Sequence, residues 1–155
     1  MAFSETTIAD PPLVTRTLLF RVAGSVYGCD IDTVREIVPW RRATRLPGAP
    51  PYVQGLINLR GTIVTVLDLG ARLDPSRGIV HGEEGGSGSI ILVEHGTRVV
   101  GAAVDEVMDV QAIEREPVEG AGDDARGGLV CGLGHLAGDV VVLLDIHMLI
   151  TQVLL

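Results

Sequence analysis

The chain contains no lysine. All twelve basic residues are arginine, set against 20 acidic residues, for a formal net charge of −8. A nucleic-acid-binding domain carries a basic footprint, so this deficit argues against a nucleic-acid partner. Long apolar runs are also missing. The strongest, Val140 to Leu144, stops at Asp145, far short of the roughly 18–20 residues that span a bilayer, and direct membrane insertion is not expected. Cysteine is scarce. Cys29 and Cys131 belong to no CxxC pair and lie in apolar surroundings, the pattern of buried thiols in a reducing cytoplasm. The opening MAFSETTIADPP lacks a basic region followed by an apolar one, so a signal peptide is not expected. Residues 1–14 are expected to form a flexible N-terminal tail.

Hydrophobic residues are abundant, at 46% of 155. That length fits one domain, or two small subdomains sharing a core. Charge is unevenly spread. Residues 1–77 hold 9 arginines against 7 acids, net +2, and residues 78–155 hold 3 against 13, net −10. Two differently charged faces, or unequal solvated loops, account equally well for this asymmetry.

Taken in order, TLLFRV (Thr17 to Val22) predicts a strand, Ala23-Gly24-Ser25 a turn, and Val26 to Cys29 a second strand. From Asp30 to Val38 the period changes. Val34, Ile37 and Val38 fall on one face of a short helix, capped by Asp32 or Thr33, with Thr33 and Glu36 spaced as a capping box and Pro39 ending it. Pro51 to Gln54 predicts one helical turn with Gly55 as its left-handed exit. Leu56 to Leu59 and Thr62 to Leu67 are strands about an Arg60-Gly61 turn, and Asp68 caps a helix over Leu69 to Leu73. A flexible connector is expected from Asp74 to Ser89. Ile90 to Val93 and Thr97 to Val104 are strands about His95-Gly96, followed by the apolar-patterned Asp105 to Val110. Ile113 to Gly128 reads as an acidic loop. Leu129 to Leu133 and Asp139 to Leu144 are strands about a glycine-rich turn, and Asp145 caps a helix from about Ile146 to Leu154.

The chain also resembles itself. A shift of 77 residues lays Val53 to Leu73 on Val130 to Ile150 with 8 of 21 positions identical: Val53, Gly55, Leu56, Leu59, Gly61, Val64, Leu67 and Asp68 recur. A shift of 73 lays Gly28, Asp32 and Val34 on Gly101, Asp105 and Val107, and Glu36 on Asp109. Two approximate halves, 15–77 and 88–155, each offer about five short strands. That is too few for a sandwich apiece and suits two small packed barrels, whose closure hides apolar strand edges. Where the halves agree, as at Gly55, Gly61 and Gly138, the turn architecture demands the residue. Where they differ, function is expected: Arg60 falls on Ala137, so the turn itself does not require arginine.

Enzyme chemistry finds little support. Gly132-Leu-Gly-His-Leu-Ala137 fits a dinucleotide fingerprint, but an apolar strand follows where a helix is needed. The histidines at 81, 95, 135 and 147 have no metal-ligand spacing. Cys131 with His135 is a nucleophile–base spacing, yet a thiol in an apolar strand without a cationic neighbour is ordinarily inert. Glu83-Glu84 sits in a solvated loop. No catalytic residue, metal or cofactor is expected. Binding is better supported. Ile31, Val34 and Ile37 in the first half, with Ile90, Val104 and Val107 in the second, either line an apolar groove that accepts an amphipathic helix or form the inter-barrel core.

YGCDIDTVREIV, TRLPGAPPYVQGLINLRGTIVTVLDLGARL and TRVVGAAVDEVMDV resemble the CheW family of bacterial chemotaxis coupling proteins, from about Thr17 to the C-terminus. The resemblance implies a mainly β fold of two packed SH3-like five-stranded barrels with short helices and a C-terminal helix, spanning 15–155. It implies a non-catalytic cytoplasmic adaptor, recruited to membrane-associated receptor arrays. Such an adaptor joins the cytoplasmic tip of methyl-accepting chemoreceptors to the regulatory domain of the CheA histidine kinase. That kinase domain is itself CheW-like, and the two alternate in rings. Ile31, Val34, Ile37, Gly101 and Val107 match receptor-groove positions, and Glu36 and Arg60 match a charged pair beside the groove. A Glu36 engaged with Arg60 is not free to close a capping box. The chain departs from the family at Thr65, where a proline is usual. The same fold also serves adaptors of non-chemotactic arrays, governing twitching or gliding motility or development. A module of a receiver fusion or of a kinase is disfavoured, because no receiver or ATP-binding stretch is present.

Overall fold

The computed structural model describes residues 13–77, 82–116 and 129–154. Ten strands run in the order β1 (Leu13–Val22), β2 (Ser25–Asp30), β3 (Val34–Pro39), β4 (Val53–Leu59), β5 (Thr62–Asp68), β6 (Ser89–His95), β7 (Arg98–Val104), β8 (Glu106–Glu116), β9 (Val130–Leu136) and β10 (Asp139–Leu144). Helix α1 (Leu69–Leu73) follows β5 and helix α2 (Ile146–Leu154) follows β10. Both carry the predicted caps: Asp68 accepts from Ala71 N at 3.1 Å, and Asp145 accepts from Met148 N at 3.2 Å.

The strands form two sheets. One closes into a barrel in the order β1-β2-β10-β9-β8, and the other runs β3-β6-β7-β5-β4. The second lacks a ladder between its outer strands; a single bridge ties Thr44, in the segment after β3, to Leu56 of β4. In the first barrel, the counterpart of Leu56, Leu133, pairs with Glu116 in the β8–β9 ladder that closes it. Neither barrel is built from one half of the chain. Each takes the opening hairpin of one half and the last three strands of the other. Each hairpin joins the other half's strands through one antiparallel and one parallel ladder: β1 with β8 and β2 with β10 in one sheet, β3 with β6 and β5 with β7 in the other. Hairpins need only a local turn, whereas parallel pairs need long connections, and the repeat by itself does not say which half supplies them.

Several expectations are corrected. Asp30 to Val38 is not a helix. Asp30, rather than Asp32 or Thr33, caps a single 3₁₀ turn, Ile31–Thr33, by accepting from Asp32 N at 2.9 Å, and β3 follows at once. The reason is tertiary. Strand β6 is buried continuously from Ile90 to Val93, so its backbone needs partners on both edges, and β3 supplies one of them. No helical turn forms at Pro51 to Gln54, because β4 already begins at Val53. Gly55 lies inside β4 with φ 143°, where a Cβ would stand 2.1 Å from the Thr44 carbonyl oxygen, so close approach rather than a helix exit demands glycine. The acidic stretch through Glu116 continues β8 rather than opening a loop; residues 117–128 lie outside the described residues. Leu13 and Val14 pair with Arg115 and Glu114 and so belong to β1 rather than to the tail. The rest of the tail, residues 1–12, and residues 78–81 of the connector also lie outside the described residues.

Three apolar clusters hold the fold together. The interior of the second barrel holds Val38, Trp40, Ile57, Val64, Val66, Ile90, Leu92 and Ala103. A smaller group, Leu19, Val141 and Leu143, belongs to the first barrel. The largest joins the two sheets, from Leu18 and Phe20 to Ile91 and Val93, with Leu149 and Ile150 of α2.

Candidate functional site

Strand β3 carries the residues that the sequence singles out, and one irregularity decides where they point. Val34 stands opposite Val93 and Glu36 opposite Leu92, so Arg35 is an extra residue, a β-bulge. Without it Val34 and Ile37 would face opposite sides of the sheet. With it they stand across from Val93 and Ile91, both of the inter-barrel core, while Glu36 and Val38 stand across from Leu92 and Ile90 of the barrel interior. The grouping expected from helical periodicity is thus reached by a bulged strand. The repeat has the same device: in β8, Val107 stands opposite Phe20 and Asp109 opposite Leu19, leaving Met108 as the extra residue. These are the counterparts, 73 residues on, of Val34, Glu36 and Arg35.

Ile31, Val34 and Val107 are half-buried and pack against the inter-barrel core, and Ile37 is 38% exposed at its margin. Val104 is buried in that core and Ile90 in the second barrel's interior. Gly101 does not join the exposed set. It is buried in β7 and faces inward, where a Cβ would stand 2.6 Å from Ile90 Cγ2, so it makes room for core packing. Gly28 fills the same role in the first barrel, where a Cβ would stand 2.6 Å from Thr17 Cγ2.

The Arg60-Gly61 turn lies at one end of the second barrel. Arg60 and Gly61 both take left-handed conformations, φ 50° and 88°, and Asn58 Oδ1 accepts from Gly61 N at 2.8 Å. The Arg60 guanidinium donates to the Glu36 carboxylate, an ion pair with side chains 67% and 34% exposed. Glu36 is therefore not part of a capping box. The pair borders an opening lined also by Arg35, Leu59, Thr62 and Val99. Arg35 is held by Glu94 at 3.1 Å. The Ala137-Gly138 turn repeats the backbone, φ 51° and 87°, without the charge.

Sequence reasoning passed over two exposed apolar residues. Ile63 is 59% exposed and Val140 is 56% exposed, and they are counterparts under the 77-residue shift. The repeat held that signal, since both open an apolar strand at the same register.

The alternative chemistries find no geometry. Gly132 to Ala137 runs through β9 into a turn. His135 meets Glu116 at 3.2 Å rather than Cys131. Burial, and secondarily the Asp30 carboxylate, pushes the Cys29 thiol up to about 12, and burial raises Cys131 as well, so neither is an activated nucleophile. Among the described residues no three His, Cys, Asp or Glu are grouped to hold a metal ion, and no helix is long and apolar enough to cross a membrane. His81 lies outside the described residues.

Comparison with known proteins agrees with this architecture. The family model described as a CheW-like domain matches residues 16–154. The chain is 33% identical over 138 residues to the chemotaxis protein CheW of Klebsiella aerogenes, covering 87% of this chain and 81% of that protein. A more partial likeness, 31% over 96 residues, covers 59% of the chain and 49% of protein PilI of Pseudomonas aeruginosa. The crystal structure of the scaffolding protein TtCheW from Thermoanaerobacter tengcongensis superposes with a TM-score of 0.72 at 28% identity, covering 86% of this chain and 90% of that one. With a duplicated β fold and a family match over nearly its whole length, the chain belongs to the CheW-like family of non-catalytic scaffold proteins.

Proposed function

We propose that this chain is the adaptor that couples methyl-accepting chemoreceptors to the CheA histidine kinase. In this reading the receptor's cytoplasmic helical tip lies along the seam between the barrels. Ile31, Val34, Ile37 and Val107 provide apolar contact, Glu36 and Arg60 give charge selectivity at the rim, and Gly101 supports the wall from behind. A few apolar anchors beside a small number of charges are what such an interface requires. The CheW-like regulatory domain of the kinase takes a second surface, and the protein works in the cytoplasm at membrane-associated arrays. Nothing turns over; receptor rearrangements pass to the kinase through two interfaces held in fixed relation. The observation that carries the reading is the bulge at Arg35, which sets Val34 and Ile37 on the inter-barrel face of β3, while Glu36 turns to the other face to meet Arg60.

A pull-down of this protein with a receptor signalling domain and with CheA tests the proposal. Retention of both, with loss of receptor capture by Ile37→Glu, supports it, and binding to neither sinks it. A second reading, an adaptor of a non-chemotactic array governing twitching or gliding motility or development, is favoured by the partial likeness to PilI. Capture of that system's receptor and kinase in preference to CheA decides for it.

A further inference from the structure

The sequence spaces no two histidines as metal ligands, but the fold brings two of them together. His95 ends β6, beside the turn that leads into β7. His147 lies in the first turn of α2, which follows β10. Their imidazole centres are 6.0 Å apart, and the rings are tilted by 56°. Both residues are exposed. Among the described residues neither ring takes part in a hydrogen bond or an ion pair. His135, by contrast, is engaged with Glu116 at 3.2 Å.

The pair joins the two sheets. His95 belongs to the second, and His147 to the helix that continues the last strand of the first. Leu149 and Ile150, on the same helix, are buried in the core between the sheets. The repeated framework calls for histidine at neither place. Under the 73- and 77-residue shifts the counterparts are Val22 and Gly70, both buried. Val22 closes the β1–β2 hairpin opposite Ser25 as His95 closes the β6–β7 hairpin opposite Arg98.

Two imidazoles at this separation fit one ion. A zinc–nitrogen bond of about 2.0–2.1 Å puts the ring centre about 3 Å from the ion, so two ligands of one ion have centres roughly 5–6 Å apart. The observed 6.0 Å is at the wide end of that range. Exposed imidazoles rotate about a broad χ2 torsion, which can turn a nitrogen of each ring towards the point between them. Imidazole suits Zn²⁺, Cu²⁺ and Ni²⁺, whereas Ca²⁺ and Mg²⁺ take oxygen ligands. No third His, Cys, Asp or Glu is grouped with the pair among the described residues, so water fills the other positions. We propose that His95 and His147 form a two-histidine site for a divalent transition-metal ion, which clamps the β6–β7 hairpin to α2 and so holds the two barrels in one relative orientation.

The test is a titration of the tag-free, full-length protein with ZnCl₂. The imidazole C–H resonances of the four histidines, assigned by single His→Gln substitutions, are followed by NMR. Expected is a saturable movement of the His95 and His147 resonances together, at one Zn²⁺ per chain and reversed by EDTA, with those of His81 and His135 unmoved. H95Q and H147Q should each weaken Zn²⁺ binding by about tenfold or more, since losing a ligand costs at least as much as losing a ligand's hydrogen-bonded support. Cu²⁺ should bind more tightly than Zn²⁺, and Mg²⁺ should leave the resonances unmoved. Without metal both variants should melt with the unaltered protein. With Zn²⁺ the unaltered protein and H135Q should gain melting temperature, and H95Q and H147Q should not. Movement of only one of the two resonances overturns the proposal. So does an equal loss of affinity in H135Q, or Zn²⁺ binding that size-exclusion chromatography shows to occur only by joining two chains.

Discussion

Arg60 and Ala137 hold the same position in two copies of one turn, with φ of 50° and 51° and a glycine following each. The backbone conformation is therefore independent of the side chain, and the arginine is a local addition whose carboxylate partner is Glu36.

Arg60→Ala should accordingly leave the fold intact. An exposed ion pair contributes at most about 1 kcal/mol, so the melting temperature should move by no more than a few degrees. Receptor or kinase coupling in a reconstituted assay should fall on the order of tenfold. A large loss of stability with coupling unchanged would reverse this assignment.

The glycines beside them should behave in the opposite way. Gly61→Val and Gly138→Val each force a β-branched residue to φ near 88° and 87°, at a cost of about 1–3 kcal/mol. Chemical denaturation should show both destabilised to similar extents. Gly55→Ala should be worse, because even a methyl group meets the Thr44 carbonyl.

Ile37 and Val38 are adjacent but face different surroundings. Ile37→Glu adds a charge at a site already 38% exposed and should change stability little while abolishing receptor capture. Val38→Glu places a carboxylate in the second barrel's interior and should unfold the protein. Circular dichroism melts paired with pull-downs separate the two.

Cys29 supplies a pH dependence. Its pKa rises from 9.0 unfolded to about 12 folded. Between those values the unfolded state binds fewer protons, so stability is fully present below pH 9 and declines as pH rises towards 12. The slope from this one group approaches about 1.4 kcal/mol per pH unit. Urea midpoints measured across that range should fall less steeply in Cys29→Ala than in the unaltered protein. Iodoacetamide at pH 8 should modify the half-buried Cys131 well before Cys29.

Much of this was legible in the residues. The Asp68 and Asp145 caps, the Arg60-Gly61 turn and its copy, and the alternating strands around them are local signals whose partners lie within a few positions. The 73-residue shift also laid Val34 and Glu36 on Val107 and Asp109, the pairs that flank equivalent bulges at Arg35 and Met108. Asp30 to Val38 misled because Val34, Ile37 and Val38 fit a helical face as well as a bulged strand. Over nine residues, periodicity cannot choose between them.

By itself, then, the sequence determined the Arg60-Gly61 turn and its copy, the Asp68 and Asp145 caps, most of the strands and the twofold repetition, because each rests on backbone geometry within a few residues or on recurrence along the chain. Tertiary structure alone decided that the hairpins are exchanged between halves, that β3 is a strand and that Gly101 points inward. The physical reason is common to all three. The buried strand β6 must pair on both edges, and the parallel seams β2–β10 and β5–β7 join segments far apart in the chain, so these choices were made by partners that no local pattern contains.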